Sequence, residues 1–308
     1  MRVSKREHPR FVEAHGRSPA DAYDYVIVGG GTAGCVLANR LSRDPSCQVL
    51  LLEAGPADRS PWIHLPIGYG KTMFHDVYNW KFYTDPDPGM DDRRIYWPRG
   101  RCLGGSSSIN GLIYVRGQPE DYDAWQAAGN RDWGWRDVLP YFVRSEGNSR
   151  GASDGHGADG PLVCSDIGAK HELIEAIIAG AQSLGVPRND DFNAGSQEGV
   201  GYYQLFTRKG LRCSTATGYL RPVRRRSNLD VKTDARVTRI RITEMRACGV
   251  DYVRDGVAQS ASARREVIVA AGALQSPQLL QLSGVGAGML LQQFGIPVVL
   301  DLPGVGEN

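Results

Sequence analysis

The sequence predicts an α/β protein in which a domain of parallel strands and helices is interrupted by an inserted β-sheet domain. The first observation is a strand–turn–helix–strand pattern in residues 23–55, YDYVIVGGGTAGCVLANRLSRDPSCQVLLLEAG. The second is a further strand, turn and helix in residues 265–286. Wholly apolar runs such as YVIV and VLLL are typical of strands buried on both faces of a parallel sheet. Because different material lies between the two patterns, we expect one discontinuous domain with an insertion.

The composition is that of an ordinary globular protein. Of 308 residues, 41% are hydrophobic and 23% are charged, and the formal net charge is +2. This balance does not indicate a nucleic-acid partner, and no apolar run approaches the roughly 18 residues of a membrane-spanning helix. The six cysteines include no CxxC pair, which argues against a disulfide framework or a metal site. We therefore predict a cytoplasmic protein, with peripheral attachment to the inner membrane as the alternative.

A glycine-rich turn follows the first predicted strand. Gly29, Gly31 and Gly34 form the pattern G-x-G-x-x-G before a predicted helix. In this pattern the first glycine permits a tight turn, the second lets the backbone approach a pyrophosphate, and the third lets the helix pack closely on the strand. Glu53 ends the next strand, where a carboxylate can accept hydrogen bonds from ribose hydroxyls. The turn predicts dinucleotide binding at the N-terminal end of the helix, and by itself it does not distinguish FAD from NAD.

A second glycine-rich segment occupies residues 100–117, GRCLGGSSSINGLIYVRG. Gly104 and Gly105, followed by three serines, predict a run of free backbone N–H groups suited to anionic or carbonyl oxygens. The flanking sequences IYWPR and LIYVRG are too apolar for a surface linker. We therefore expect a buried loop whose backbone groups find partners in a cofactor.

The rest of the chain shows simpler local patterns. Apolar periodicity predicts helices, alternation predicts strands, and glycine and serine content predicts a linker. Residues 56–97 mix proline, glycine and aromatic residues and predict long loops, in which the Tyr/Trp cluster either lines a substrate path or packs as a core or cofactor-covering lid. The predicted helices are 137–146 and 171–185, the predicted strands lie in 228–243 and 247–256, and the predicted linker is 149–161.

These segments together resemble the glucose-methanol-choline (GMC) oxidoreductases. The resemblance covers residues 23–308 and looks most like the bacterial choline-dehydrogenase-like alcohol dehydrogenases. The match to the first family signature is carried by Gly100, Arg101, Leu103, Gly104, Gly105, Ser106, Ser107, Ile109, Asn110, Tyr114, Gly117 and Asp123. The match to the second signature is carried by Gly272, Ser276, Pro277, Leu279, Leu280, Ser283, Gly284, Val285 and Gly286.

The resemblance implies an FAD-dependent oxidoreductase that oxidises the CH–OH group of a small-molecule alcohol by hydride transfer to flavin N5. Electrons would then pass to a quinone, another carrier or O₂. Some members attach FAD covalently through a histidine in the sequence GGxSxHN, and Ile109 occupies that place here, so we expect non-covalent FAD. The residues implied to bind FAD are Gly29, Gly31, Thr32, Ala33, Gly34, Glu53, Cys102 (through its backbone), Gly105, Asn110, Gly111, Leu112, Ile113, Val237 (beside the adenine), Ala271 and Gly272.

Residues 1–22 are polar and basic and are expected to be a disordered extension. The resemblance divides the rest of the chain into 23–158 and 230–308, a Rossmann-like FAD-binding domain, and 159–229, the first part of a substrate-binding β-sheet domain. Family members carry their catalytic histidine in sequence corresponding to positions beyond Asn308. We therefore expect both domains to be incomplete and no catalytic residue to lie in this chain.

Two other functions remain open at this point. One is a catalytically silent FAD-binding fragment of a split or frameshifted enzyme. The other is a lyase, which has precedent in the family. An NAD-dependent dehydrogenase would leave both GMC signatures unexplained.

Overall fold

The computed structural model describes residues 22–307. The predicted disordered extension lies outside the described residues except for Ala22, where the first strand begins. The helices are α1 (Thr32–Leu41), α2 (Pro61–His64), α3 (Tyr69–Thr72), α4 (Pro119–Ala127), α5 (Trp135–Ser145), α6 (Glu172–Ser183), α7 (Gln275–Leu282) and α8 (Gly288–Gln293). The strands are β1 (Ala22–Val28), β2 (Val49–Leu52), β3 (Phe82–Tyr83), β4 (Tyr96–Trp97), β5 (Ile113–Tyr114), β6 (Glu146–Asn148), β7 (Leu162–Cys164), β8 (Gln204–Leu205), β9 (Thr207–Arg208), β10 (Leu211–Arg212), β11 (Leu229–Lys232), β12 (Ala235–Thr243), β13 (Arg246–Arg254), β14 (Val257–Val269), β15 (Val285–Gly286) and β16 (Leu300–Asp301).

The chain forms two compact units. Unit one consists of Met1–Pro56 and Arg224–Asn308, and unit two is Ala57–Val223. Unit one is therefore discontinuous in sequence, but the chain leaves it after Pro56, whereas the predicted boundary of the FAD-binding domain is 158/159. The assignment of the predicted domains to cofactor and substrate stays a prediction.

Unit one is built on a six-stranded mixed sheet with the order β11-β2-β1-β14-β13-β12. Strands β11, β2, β1 and β14 are parallel, and β14, β13 and β12 are antiparallel. β14 pairs with both neighbours along different parts of its length. Its residues up to Ser262 pair with β13, and its residues from Ser262 onward pair with β1. The predicted α/β fold class is confirmed.

The core of unit one lies where the sheet meets α7. Val26, Leu50 and Val250 are completely buried there, and Leu279 of α7 packs against them. Burying each such side chain stabilises the fold by about 1.5–3 kcal/mol. α7 is also tied to the sheet by Ser283, whose hydroxyl accepts the N–H of Ile240 at 2.8 Å.

Unit two consists of helices of 4 to 12 residues and two-stranded ladders joined by loops. The predicted helices 137–146 and 171–185 correspond to α5 and α6. Between α4 and α5, the ring centroid of Tyr122 lies 5.3 Å from that of Trp125 and 5.7 Å from that of Phe142.

The predicted linker at 149–161 is wrong. His156 within it is 6% exposed and bonds to the buried carboxylate of Glu146. Two of the glycines that suggested flexibility, Gly157 and Gly160, permit close approach of backbone segments instead. A Cβ at Gly157 would lie 1.9 Å from the carbonyl oxygen of Val143, so only glycine fits there.

Candidate functional site

The glycine-rich turn of unit one joins the end of β1 to the start of α1. Gly29 has a φ of +102°, a backbone conformation that residues other than glycine rarely adopt. A Cβ at Gly29 would lie 2.5 Å from the carbonyl oxygen of Ala270, and a Cβ at Gly34 would lie 1.9 Å from the carbonyl oxygen of Gly29. The first and third glycines are therefore required by the backbone of unit one itself.

Among residues 22–307, no side chain competes for the first turn of α1. The helix begins at Thr32 after Gly31, no described side chain caps it, and its first turn contains no acidic residue. Thr32 and Ala33 are exposed. Backbone N–H groups and the partial positive charge of a helix N-terminus favour an anionic group at such a position.

Glu53 braces the glycine-rich turn. Its carboxylate accepts the N–H of Gly30 through Oε2 and the N–H of Gly55 through Oε1, both at 2.8 Å. The residue is 6% exposed. The acid predicted to contact a ribose therefore also holds the turn that a pyrophosphate would contact.

Parallel pairing brings the predicted residues of unit one to one edge of the sheet. Gly29, Glu53 and Ala271 follow β1, β2 and β14, whose carboxyl ends lie side by side. The N–H of Ala235 donates to the carbonyl of Glu53 at 2.9 Å, so β12, which carries half-buried Val237, begins beside the same edge. The predicted residues of this unit are Gly29, Gly31, Thr32, Ala33, Gly34, Glu53, Val237, Ala271 and Gly272.

The loop at 100–117 lies in unit two and differs from its prediction. Gly104 and Gly105 have φ values of +87° and +53°, which start a 3₁₀ turn over Gly105–Ser108. The N–H of Gly105 donates to the carbonyl of Cys102 at 2.8 Å, and the N–H of Ser107 donates to that of Gly104 at 3.1 Å. The predicted run of free N–H groups is therefore wrong for Gly105 and Ser107, whose N–H groups bond to carbonyls within the turn.

The second half of this loop alternates between exposed and buried residues. Asn110, Gly111 and Ile113 are exposed, while Leu112 is 2% exposed and points into the unit. Leu112 has a φ of +65°. Two further residues predicted to bind FAD, Cys102 and Gly105, lie in the first half of the loop, and the thiol of Cys102 is completely buried.

Arg212 holds this loop and was missed in the sequence. It is 3% exposed, and burial lowers the pKa of its guanidinium to about 10. Its Nη2 donates to the carbonyl oxygen of Asn110 and its Nη1 to the Asn110 side-chain oxygen, both at 2.7 Å. Its position between Leu211 and Cys213 in a short strand does not distinguish a buried arginine from an exposed one.

The described histidines have local structural roles. His64 Nε2 lies 2.7 Å from the carbonyl oxygen of Asp58, and His171 caps α6 by accepting the N–H of Leu173. His75 accepts the N–H of Val77 through Nδ1, and His156 contacts Glu146. The absence of a catalytic base from this chain stays a prediction.

The turn, helix N-terminus and acid at the strand ends make unit one an α/β unit of the dinucleotide-binding class. Comparison of the sequence with protein families defines the class further. The family model described as GMC oxidoreductase matches residues 23–308, and the chain belongs to that family.

Individual relatives agree with the family match. The mitochondrial choline dehydrogenase of Homo sapiens is 45% identical over 97% of this chain and 52% of its own length. The "alcohol dehydrogenase [acceptor]" of Pseudomonas putida is 45% identical over 93% of this chain and 52% of its own. The chain thus spans about half the length of the curated relatives it matches.

Solved structures share the fold. A pyridoxine 4-oxidase from Mesorbium loti superposes with a TM-score of 0.88 at 37% identity, over 91% of this chain and 55% of its own. An FAD-dependent oxidoreductase from Chaetomium thermophilum gives 0.86 at 33% identity, over 93% and 52%. The resemblance on which the sequence predictions rest is confirmed. In the part of the chain that the structure describes, no helix has the length and apolarity needed to cross a membrane.

Proposed function

We propose that this chain binds FAD as the cofactor-binding part of an oxidoreductase that oxidises the CH–OH group of a small-molecule alcohol by hydride transfer to flavin N5. The observation that carries the proposal is the braced, uncapped turn from Gly29 to Gly34. FAD is favoured over NAD because the chain belongs to the GMC family and one of its structural neighbours is named an FAD-dependent oxidoreductase.

The residues of unit one fit the adenosine diphosphate moiety of FAD. The N-terminus of α1 would hold the pyrophosphate, because no described side chain caps its first turn and Thr32 and Ala33 are exposed there. Glu53 would keep the turn in place and contact the ribose, and Val237 would lie beside the adenine. FAD supplies the acceptor for the hydride when it is bound.

Residues of unit two are proposed to contact the same cofactor on the basis of the family resemblance. They are Cys102, Gly105, Asn110, Gly111, Leu112 and Ile113. FAD is proposed to bind without a covalent bond, since the buried side chain of Ile109 offers no nucleophile at the position where some members have histidine.

The binding proposal is tested by titrating the purified chain with FAD and following flavin fluorescence and the thermal unfolding temperature. We expect saturable binding, and release of all flavin when the protein is denatured. Gly29→Ala should abolish binding, because the added Cβ meets the carbonyl of Ala270. Gly180→Ala is the matched control, since a Cβ at Gly180 meets nothing within 4 Å. Absence of binding by the unmodified chain would refute the proposal.

Substrate and acceptor are proposed from the names of the relatives. Choline and other alcohols are the first substrates to test, with a quinone, another carrier or O₂ as acceptor and the cytoplasm as location. A second candidate is FAD binding without turnover, which the local structural roles of the described histidines favour. Flavin bleaching by choline or simple alcohols under anaerobic conditions would support the enzyme, whereas bound flavin that no alcohol reduces would support the second candidate.

A further inference from the structure

The guanidinium of Arg212 joins three separate segments of unit two. Its Nε donates to the carbonyl oxygen of Ile63 at 2.8 Å. Its Nη1 donates to the carbonyl oxygen of Ser107 at 3.1 Å, in addition to its two bonds with Asn110. A planar guanidinium has donors in fixed directions and can hold several such acceptors at once, whereas the ammonium of lysine is a single charge on a flexible stem.

The segment that Arg212 holds has an unfavourable backbone. Leu112 has a φ of +65°, a conformation that residues other than glycine seldom adopt. Its N–H donates to the side-chain oxygen of Asn110 at 3.2 Å, and its carbonyl accepts the N–H of Phe206 at 2.8 Å. Strained backbone persists only where its surroundings enforce it, and such positions cluster at ligand sites. Arg212 is one of the groups that enforce it, because it holds Asn110 by backbone and side chain.

No described residue neutralises the charge on Arg212. Among residues 22–307, all four of its hydrogen-bond acceptors are carbonyl or amide oxygens, and no carboxylate pairs with it. The lowered pKa of about 10 still leaves it protonated near neutral pH. Burying a charge without a counter-charge is costly. No neutral side chain has enough donors for these four acceptors, so the cost of the unpaired charge points to a loop that has to be held in one conformation.

We propose that Arg212 is a positioning residue for flavin binding, which holds the turn from Asn110 to Ile113 in the conformation that receives the flavin portion of FAD. This inference rests on the proposed function, which assigns those residues to FAD. The adenosine diphosphate moiety is assigned to unit one. Loss of the arginine should therefore weaken FAD binding and leave ADP binding unchanged.

The experiment compares FAD and ADP binding by isothermal titration calorimetry in the unmodified chain, in Arg212→Lys and in Arg208→Lys. Arg208 is exposed and makes one bond, to the carbonyl of Pro161, so it is a matched control in the neighbouring strand. We expect R212K to weaken FAD by about tenfold or more, the worth of a lost hydrogen bond to a charged group. ADP affinity should not change, and R208K should leave both affinities unchanged.

Each result is decisive. Unchanged FAD affinity in R212K would overturn the proposal, because lysine keeps the positive charge but lacks the fixed donors of the guanidinium. Loss of both FAD and ADP by R212K would show a role in folding and would also overturn it. Asn110→Ala, which removes one acceptor and leaves the arginine in place, should likewise weaken FAD and spare ADP. Failure of the unmodified chain to bind either ligand would instead refute the proposed function, and this inference with it.

Discussion

Replacing Glu146 by glutamine should destabilise unit two strongly. Its carboxylate lies 2.6 Å from Nη2 of Arg116, and both side chains are 1% exposed. The same carboxylate meets His156 Nδ1 at 2.9 Å and accepts the N–H of Gly157 at 2.9 Å. Glutamine has the same shape, so the substitution removes the charge without opening a cavity. It leaves Arg116 buried without its counter-charge.

Breaking a buried ion pair on one side costs about 3–5 kcal/mol. Because the whole stability of a domain is about 5–15 kcal/mol, E146Q should unfold at a much lower urea concentration. With a urea dependence of about 1–3 kcal/mol per molar, the midpoint should fall by about 1 M or more. The measurement is a urea titration followed by circular dichroism and tryptophan fluorescence.

The matched control is Asp76→Asn, which removes one carboxylate charge from the exposed pair with Lys81. Its midpoint should not move, since exposed pairs contribute little. The double variant E146Q with Arg116→Met should be less destabilised than E146Q alone, because no buried charge is left unpaired. An E146Q midpoint equal to that of the unmodified chain would refute the reasoning about this pair.

Three further predictions concern stability. Burial raises the pKa of Glu146, but its hydrogen bonds to His156 and the backbone outweigh burial, so the pKa lies below the usual 4.5. The free energy of unfolding, measured by urea titration, should therefore fall as the pH drops below about 4.5, and it should fall less in E146Q. Ser283→Ala leaves the N–H of Ile240 without its acceptor and should lower the free energy of unfolding by about 1–3 kcal/mol in the same titrations. Ser183→Ala, at an exposed position, should change it little. Gly34→Ala should lower the melting temperature and remove FAD binding, and normal binding would contradict the packing argument.

Unit one could be predicted from the sequence because its constraints are local. The turn after β1 needs glycine at Gly29 for its φ, which is a property of the turn itself, and at Gly34 because the carbonyl of Gly29, close in the chain, lies against it. The strands are apolar runs of ordinary length, and helix α1 follows the turn directly. The position of Glu53 at the strand end follows from parallel pairing, which any such pattern implies.

Unit two was predicted less well because glycine has two uses that look alike in sequence. At Gly104 and Gly105 it permits a turn that consumes its own N–H groups, where free N–H groups were expected. At Gly157 it permits close approach of two backbones, where a flexible linker was expected. A glycine in the sequence indicates that the backbone can adopt unusual conformations, but it does not indicate which group packs or bonds there.

The sequence also could not distinguish the two buried arginines of unit two, and the structure separates them by their partners. Arg116 meets the carboxylate of Glu146, so the pair is neutral as a whole and its effect is on stability. Arg212 meets only carbonyl and amide oxygens among the described residues, so its positive charge remains. Arg116 should therefore matter for urea unfolding whether or not FAD is present. Arg212 should matter most where the loop carrying Asn110 meets a ligand, and the two effects can be measured separately on the same protein.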